Sequence, residues 1–446
     1  MKKKMCSSIR FILVAILVLP VLSFSQNSTY ENIEEYLTAD YPYLDALYKH
    51  LHMNPELSFH EEQTAKRIGS ELKKLGFTVT HGVGGHGVVG VLKNGFGPTV
   101  MVRTDLDALP VKENTGLDYA SKIRTKDDQG NEVSVMHACG HDIHMTSLVG
   151  TARMLVNLKD SWGGTLVMIG QPAEERGAGA RMMLADGLFQ KFPRPDFALA
   201  LHASATVPAG KVAYCEGFIL ANVDMVDITV FGEGGHGAYP HTTKDPIVLA
   251  AQIILNLQTI VSREISPLEP AVVTVGSIHG GTKHNIIPDE VKLQLTLRSY
   301  SDEVRQKTID AIQRICRGVA KGAGISENKL PKVTIRNEYT PATYNDPKLT
   351  RRTVQAFKAI LGEENVIETG PVMAGEDFGR YGREESKIPI SIFWLGAVDP
   401  KKVEESKQTG KGLPSLHSAL FAPLPEPAIK TGVKAMTATV LDLMKR

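Results

Sequence analysis

The chain has 446 residues, more than one hydrophobic core usually fills, so two domains are expected. Its apolar and charged fractions are those of ordinary globular proteins, and 50 Lys and Arg against 49 Asp and Glu leave a formal charge of +1. That balance lacks the basic excess with which proteins hold nucleic acid or anionic membranes, so neither is expected as a partner.

Residues 1–25 read as a secretory signal peptide. Lys2, Lys3 and Lys4 are followed by an apolar run from Phe11 to Leu22 and by Ser23-Phe24-Ser25, where small residues suit cleavage near Ser25. The run is shorter than the ~20 residues of a membrane helix and contains Pro20, which argues against a stable membrane anchor. An exported, periplasmic or secreted protein is expected, and losing the leader leaves a charge of about −3. Cys6 goes with the leader. Cys139, Cys215 and Cys316 then remain in an oxidising compartment, an odd set that makes no disulfide framework, so one thiol needs another occupation.

From Glu31 to Gly76 the spacing of Leu44, Leu47, Leu51, Ile68, Leu72 and Leu75 predicts helix, closing on Gly76. Strands are predicted at 87–92, 99–103, 165–169 and 197–201. A helix carrying Leu148, Ala152 and Leu155 follows the second of them. This alternation predicts an α/β domain with a largely parallel sheet, whose ligands lie beyond the strand ends. Residues 222–340 read as an inserted unit. A strand at 224–231 leads to a helix opened by Asp245-Pro246 and running to about 265. Strands at 271–278 and 290–298, a helix starting at Ser301 and a last strand at 332–338 complete it. That order is βαββαβ, the ferredoxin-like motif, interrupting a domain made of 26–221 and 341–446.

The densest polar cluster is Met136-His-Ala-Cys-Gly-His-Asp-Ile-His144, where Cys139 and His141 flank Gly140 so that thiolate and imidazole share one side of a turn. Gln171-Pro-Ala-Glu-Glu-Arg176 follows a predicted strand, and its adjacent carboxylates project to different sides. One can hold a metal while the other handles protons. His202 ends the strand at 197–201, and His417 follows a loop rich in Gly and Lys. One Cys, three His and one Glu suffice for two metal ions sharing a ligand. His236 and Asn285, in Gly-rich surroundings, are candidates to stabilise an oxyanion.

These motifs, with Gly280-Gly281 through Asn-Ile-Ile-Pro-Asp289, Gly375-Glu-Asp-Phe378 and Leu416-His-Ser418, resemble the bacterial and plant N-acyl-amino-acid amidohydrolases. That family includes hippurate hydrolases, aminoacylases and indole-acetyl-amino-acid hydrolases within the larger two-metal aminoacylase and carboxypeptidase peptidases. The resemblance implies a two-metal catalytic domain with an inserted lid and dimerisation domain, and a homodimer. It implies metal ligands Cys139, His141, Glu175, His202 and His417, with Cys139 bridging, and Glu174 as catalytic acid and base. The ions would be zinc or manganese, with cobalt or nickel as alternatives. His236, Asn285 and Arg298 are implied at the substrate, His236 across the dimer, and Asp105, Asp107 and Asp142 behind the ligands. His144 also matches the pattern, as an orienting group. The chain departs from the family at Arg176, where Gly is usual, and in longer charged loops at 121–134 and 401–412.

The implied reaction is cleavage of the amide bond of an N-acetyl, N-benzoyl or similar amino acid by a metal-activated water. A dipeptidase or carboxypeptidase of the same family is the alternative. A thiol hydrolase using Cys139 and a non-catalytic metal- or ligand-binding protein are the rivals from other classes.

Overall fold

The computed structural model describes residues 21–337, 339–384 and 387–446, with side chains from residue 32 onward. Most of the expected leader lies outside the described residues. Two helices open the chain, α1 (Val21–Met53) and α2 (Glu62–Lys74), so the helix expected from Glu31 to Gly76 is interrupted. Pro55 lacks a backbone donor, and Phe59 sits at φ +69, a left-handed conformation that a helix excludes. The far end is as expected. Gly76 has φ +86, and the Gly76 and Phe77 N–H groups cap the carbonyls of Lys73 and Leu72.

The chain next lays down β1 (Thr78–Val83), β2 (Gly87–Asn94) and β3 (Thr99–Asp105), then α3 (His141–Asn157). It continues with β4 (Gly164–Gln171), β5 (Phe197–Pro208) and β6 (Val212–Tyr214). The inserted unit follows: β7 (Asp224–Phe231), α4 (Pro246–Thr259), β8 (Ala271–Gly280), β9 (Glu290–Ser299), α5 (Asp302–Gly322) and β10 (Lys332–Ile335). The chain returns through α6 (Pro347–Leu361), β11 (Val366–Glu368), β12 (Ile390–Val398) and α7 (Pro425–Leu443).

The main sheet has eight strands in the order β1-β2-β4-β3-β5-β12-β6-β11. Its centre, β4, β3, β5 and β12, is parallel, with β2 and β6 antiparallel to it on either side. Alternation along β3 sends Val100 and Val102 into the core beneath α1, α3 and α7. Met101 points the other way, toward Val167, Ile169, Ala198 and Tyr381. Both faces are covered, which is why these strands read as continuous apolar runs.

The inserted sheet is antiparallel throughout, in the order β8-β9-β7-β10, and carries its own core of Val226, Ile228, Ile253, Leu293, Leu295 and Ile312. β10 ends at Ile335, short of the expected 338, although the Arg336 N–H still donates to the Met225 carbonyl of β7 at 2.9 Å. The two chain crossings between the units lie side by side. Val223 bridges Thr340, and Gly217–Leu220 pairs with Thr343–Asn345.

The charged segments expected as loops are ordered. Residues 121–134 contain the hairpin Arg124–Lys126 with Glu132–Ser134. Residues 401–412 are largely the helix Pro400–Thr409, started by the Asp399 carboxylate, which accepts from the Lys401 N–H at 2.9 Å, and stopped by Gly410 at φ +72.

Candidate metal centre

The polar cluster forms where the parallel strands end. β3 finishes at Asp105 and β4 at Gln171, and the loops beyond them carry Asp107 and the turn 173–176. Ala173 takes φ +48, a strained value for a residue with a Cβ, so something must hold the turn. Two buried carboxylates do. Glu61 Oε1 accepts from the N–H groups of Ala173 at 2.8 Å and Phe59 at 2.9 Å, tying together two left-handed residues. Asp107 accepts from the Glu174 N–H at 3.1 Å and, on its other oxygen, from the Glu175 N–H at 3.0 Å and the Ser58 hydroxyl at 2.6 Å. Both carboxyl groups of the Glu174-Glu175 pair are thereby aimed from a fixed backbone.

Asp107 also orients His141. Its carbonyl oxygen lies 2.7 Å from His141 Nδ1, which directs Nε2 inward, where it is buried without a hydrogen-bond partner. Glu175 Oε1, likewise buried and unpartnered, lies 3.8 Å from that nitrogen. Two buried ligand atoms facing each other without other partners suit a cation. Cys139 reaches the same place because Gly140 takes φ +82 and packs where a Cβ would come within 2.9 Å of Ala203. The Cys139 sulfur is 3.6 Å from His202 Nε2 and 3.2 Å from His417 Nε2, and His417 Nε2 is 3.4 Å from Glu175 Oε2. Cys139 thus belongs to two donor groups, one with His141 and His202 and one with Glu175 and His417. These thiolate, imidazole and carboxylate donors fit divalent transition metals.

The electrostatics agree. Burial pushes the Cys139 thiol well up, and the carboxylates of Glu175, Glu174 and Asp105 add to the effect. Burial raises Glu175 to about 7, against the opposing pull of His141. His141 is lowered by burial, yet Asp105 and Asp107 more than offset this and lift it to about 10. Such a cluster carries more negative charge than it can hold alone. Divalent cations reverse each of these tendencies, stabilising thiolate, carboxylate and neutral imidazole together.

The chain is similar to known proteins over most of its length. Residues 101–411 match the model of peptidase family M20/M25/M40. The chain belongs to this family. It is 38% identical over 356 residues to thermostable carboxypeptidase 1 of Saccharolobus solfataricus, covering 79% of this chain and 85% of that one. It is 39% identical over 331 residues to the hippurate hydrolase of Campylobacter jejuni, covering 74% and 82%. The Bacillus subtilis YXEP protein, a dinuclear metal binding peptidase from the M20 family, superposes with a TM-score of 0.73 at 29% identity, covering 91% of this chain and 99% of that one. As an M20 protein, the chain is a metal-dependent hydrolase of amide bonds.

Within this M20 site the expected residues take different places. Cys139, His141, Glu174, Glu175, His202 and His417 converge, and Arg298 lines the same cavity of about 380 Å³ from the inserted sheet. His144 is fully engaged, with Asp105 2.7 Å from Nδ1 and the Ala203 N–H donating to Nε2 at 2.7 Å, so it orients rather than ligates. Asp105 sits between His144 and the Arg103 guanidinium. Asp142, expected behind the ligands, turns away instead. One turn face of α3 points its carboxylate at His52, 2.6 Å away, which Glu113 contacts at 3.1 Å from the other side. His236 and Asn285 lie together on the small exposed ladder where Gly235–His236 pairs Ile286–Ile287, outside the cavity lining of this chain.

Two residues escaped the sequence reading. Arg103, wholly buried, binds Asp105 at 2.7 Å and Glu376 at 2.8 Å, with Asp377 at 3.3 Å and the Gln171 oxygen at 3.0 Å. The signal was an arginine inside the apolar strand Thr99–Asp105, which only buried counter-charges can permit. Glu61 is the other, lifted to about 7 by burial and by Asp107 nearby.

The turn makes a test of its own. Asp107→Ala removes the acceptors for the Glu174 and Glu175 N–H groups and lowers metal affinity about 10–100-fold, measured by competition with a chelator of known affinity. Undiminished affinity in a folded variant would show that the turn holds its shape without Asp107.

Proposed function

We propose that this M20 enzyme is an N-acyl-amino-acid amidohydrolase, with two divalent ions held by Cys139, His141, Glu175, His202 and His417 and with Glu174 as general base and acid. The observation that carries the reading is the shared position of Cys139 in two donor groups, with the buried Glu174 carboxylate beside them, 3.9 Å from His141 Nε2. Zinc or manganese suits this donor set best. Bound there, the ions would polarise an amide carbonyl and lower the pKa of water.

Glu174 supplies the proton chemistry. It is buried, and burial, followed by Glu376 and Glu175 nearby, raises it well above an ordinary carboxylic acid. A carboxylate so destabilised takes a proton readily from attacking water, and the resulting acid passes it to the departing amine nitrogen. Arg103 keeps Glu376 and Asp377 in place behind it. Leu220, Val223, Met225, Trp394 and Leu416 give the cavity an apolar wall for an acyl group. Arg298, half-buried and hydrogen-bonded only to Thr296 and the Leu297 carbonyl among the described residues, offers its guanidinium to the α-carboxylate.

The inserted unit supports a homodimer. β8 is an edge strand, and α4 beside it exposes Val248 and Leu255 while Ile278 is exposed on β8 itself. In such a dimer the exposed His236 and Asn285 would be free to reach a partner's substrate. The amino-terminal charge pattern supports export.

Glu174→Gln is expected to lower kcat for N-acetyl or N-benzoyl amino acids about 10²–10⁴-fold with metal content unchanged, and chelation to abolish activity until metal is restored. Full hydrolysis by that variant would refute the mechanism. Sedimentation should give a dimer that Ile278→Glu converts to monomer, and a monomeric wild-type protein would exclude the dimer. Amino-terminal sequencing of the mature protein should begin near residue 26. An intact Met1 would rule out cleavage.

A further inference from the structure

The turn that carries Glu174 and Glu175 runs directly into Arg176, which is among the residues lining the same cavity. Its guanidinium Nη1 donates to Asp128 Oδ2 at 3.0 Å, and Asp128 stands in the turn of the hairpin at 124–134, with His60 Nε2 3.4 Å from its other oxygen. The Phe59 ring lies 5.5 Å from the guanidinium carbon. Arg176 and Asp128 remain 51% and 53% exposed, so water competes for both and the pair is weak. Arg176 bonds one oxygen of Asp128, whereas a guanidinium can grip a carboxylate with two parallel N–H bonds. Arg176 is therefore oriented at the mouth of the site without being tightly held.

We propose that Arg176 is a specificity-determining residue that selects substrates bearing a second carboxylate besides the α-carboxylate, with Asp128 occupying the guanidinium until such a substrate arrives. This rests on the N-acyl-amino-acid reading above. Among the described residues lining the cavity, Arg176 and Arg298 are the arginines, and they come from different units: Arg298 from β9, Arg176 from the turn after β4. With Arg298 on the α-carboxylate, a singly charged substrate gives Arg176 nothing to bind. A second carboxylate entering the cavity would otherwise meet Glu174, Glu175, Glu376 and Asp377, which repel it. Arg176 is the counter-charge that admits it. Exchanging Asp128 for a substrate carboxylate costs only a weak exposed pair, so the selectivity is gained with little penalty.

The second carboxylate can sit on the acyl group or on the amino-acid side chain, and two matched pairs separate these sources. N-succinyl-leucine is compared with N-butanoyl-leucine, and N-acetyl-glutamate with N-acetyl-glutamine, by kcat/KM on the metal-loaded enzyme. Arg176→Ala should lower the charged-to-neutral ratio about tenfold or more in one pair, the worth of a hydrogen bond to a charged group. Asp128→Asn should raise the same ratio by releasing the guanidinium. Calorimetry on the metal-loaded Glu174→Gln variant, with and without Arg176→Ala, reads the same ratios as binding affinities. Ratios that Arg176→Ala leaves unchanged in both pairs overturn the proposal. A wild-type enzyme that hydrolyses none of the four compounds overturns the amidohydrolase reading instead, and the binding ratios then decide the role of Arg176.

Discussion

Consecutive backbone N–H groups of Ala173, Glu174 and Glu175 all donate to buried carboxylates, the first to Glu61 and the next two to Asp107. A left-handed alanine is strained, and these bonds, with those of the Gly177 and Ala178 N–H groups to the Glu174 and Ala173 carbonyls, offset the strain. Glu174, Glu175 and Arg176 all hang from this turn. Glu174 and Glu175 both reach the donor cluster, 3.9 and 3.8 Å from His141 Nε2, and Arg176 is carried out to Asp128. Asp107 meanwhile presents its own carbonyl oxygen to His141, so one residue registers two candidate ligands against each other. Ser58 and Phe59 link the same carboxylates to the segment between α1 and α2.

This arrangement gathers Asp105, Asp107, Glu174, Glu175, Glu376 and Asp377 in one buried region with Arg103 as the central permanent cation. Burying like charges together is costly unless each finds a donor or a cation. Asp105 and Asp107 find theirs, and both are held below the ordinary carboxylate range despite burial. Glu174 and Glu175 do not, and both are raised. The scaffold thus satisfies the carboxylates that hold the turn and orient the histidines, and leaves short the two that face the donor cluster.

The sequence made the larger architecture legible because strands buried on both faces and amphipathic helices leave strong periodic signals. β3, β4 and β5 begin where their apolar runs begin, and Ser301 caps α5 as expected, accepting from the Val304 N–H at 3.1 Å. The break between α1 and α2 was hidden, since Ile68 and Leu72 continue the spacing of Leu44 and Leu51 across a left-handed Phe59. β1 was missed because an edge strand exposed at Thr78, Thr80 and His81 has no apolar alternation to show. Charge misled at 401–412, where a helix with a solvated face resembles a polar loop. At the site, ligand types and motif order marked the residues that converge. They could not tell that Asp142 leaves α3 on the side of His52, which depends on a helical rotation one residue past His141.

Arg298 shows how strand parity converts a local pattern into site geometry. Along β9, Val291, Leu293, Leu295, Leu297 and Ser299 are buried, and the first four pack in the core of the inserted unit. The pleat must therefore send Thr296 and Arg298 to the opposite face. Met225 lies opposite Thr296 in the neighbouring strand β7 and lines the same cavity as Arg298. A shift of register by one residue would put Arg298 into the apolar core and a leucine at the substrate, so the hydrophobic pattern that folds the inserted unit also fixes which side chain meets the cavity. Arg176 has no such constraint. It stands on a turn held through its backbone, with a side chain paired only at the surface, and it is at positions of that kind that specificity can change without disturbing either core.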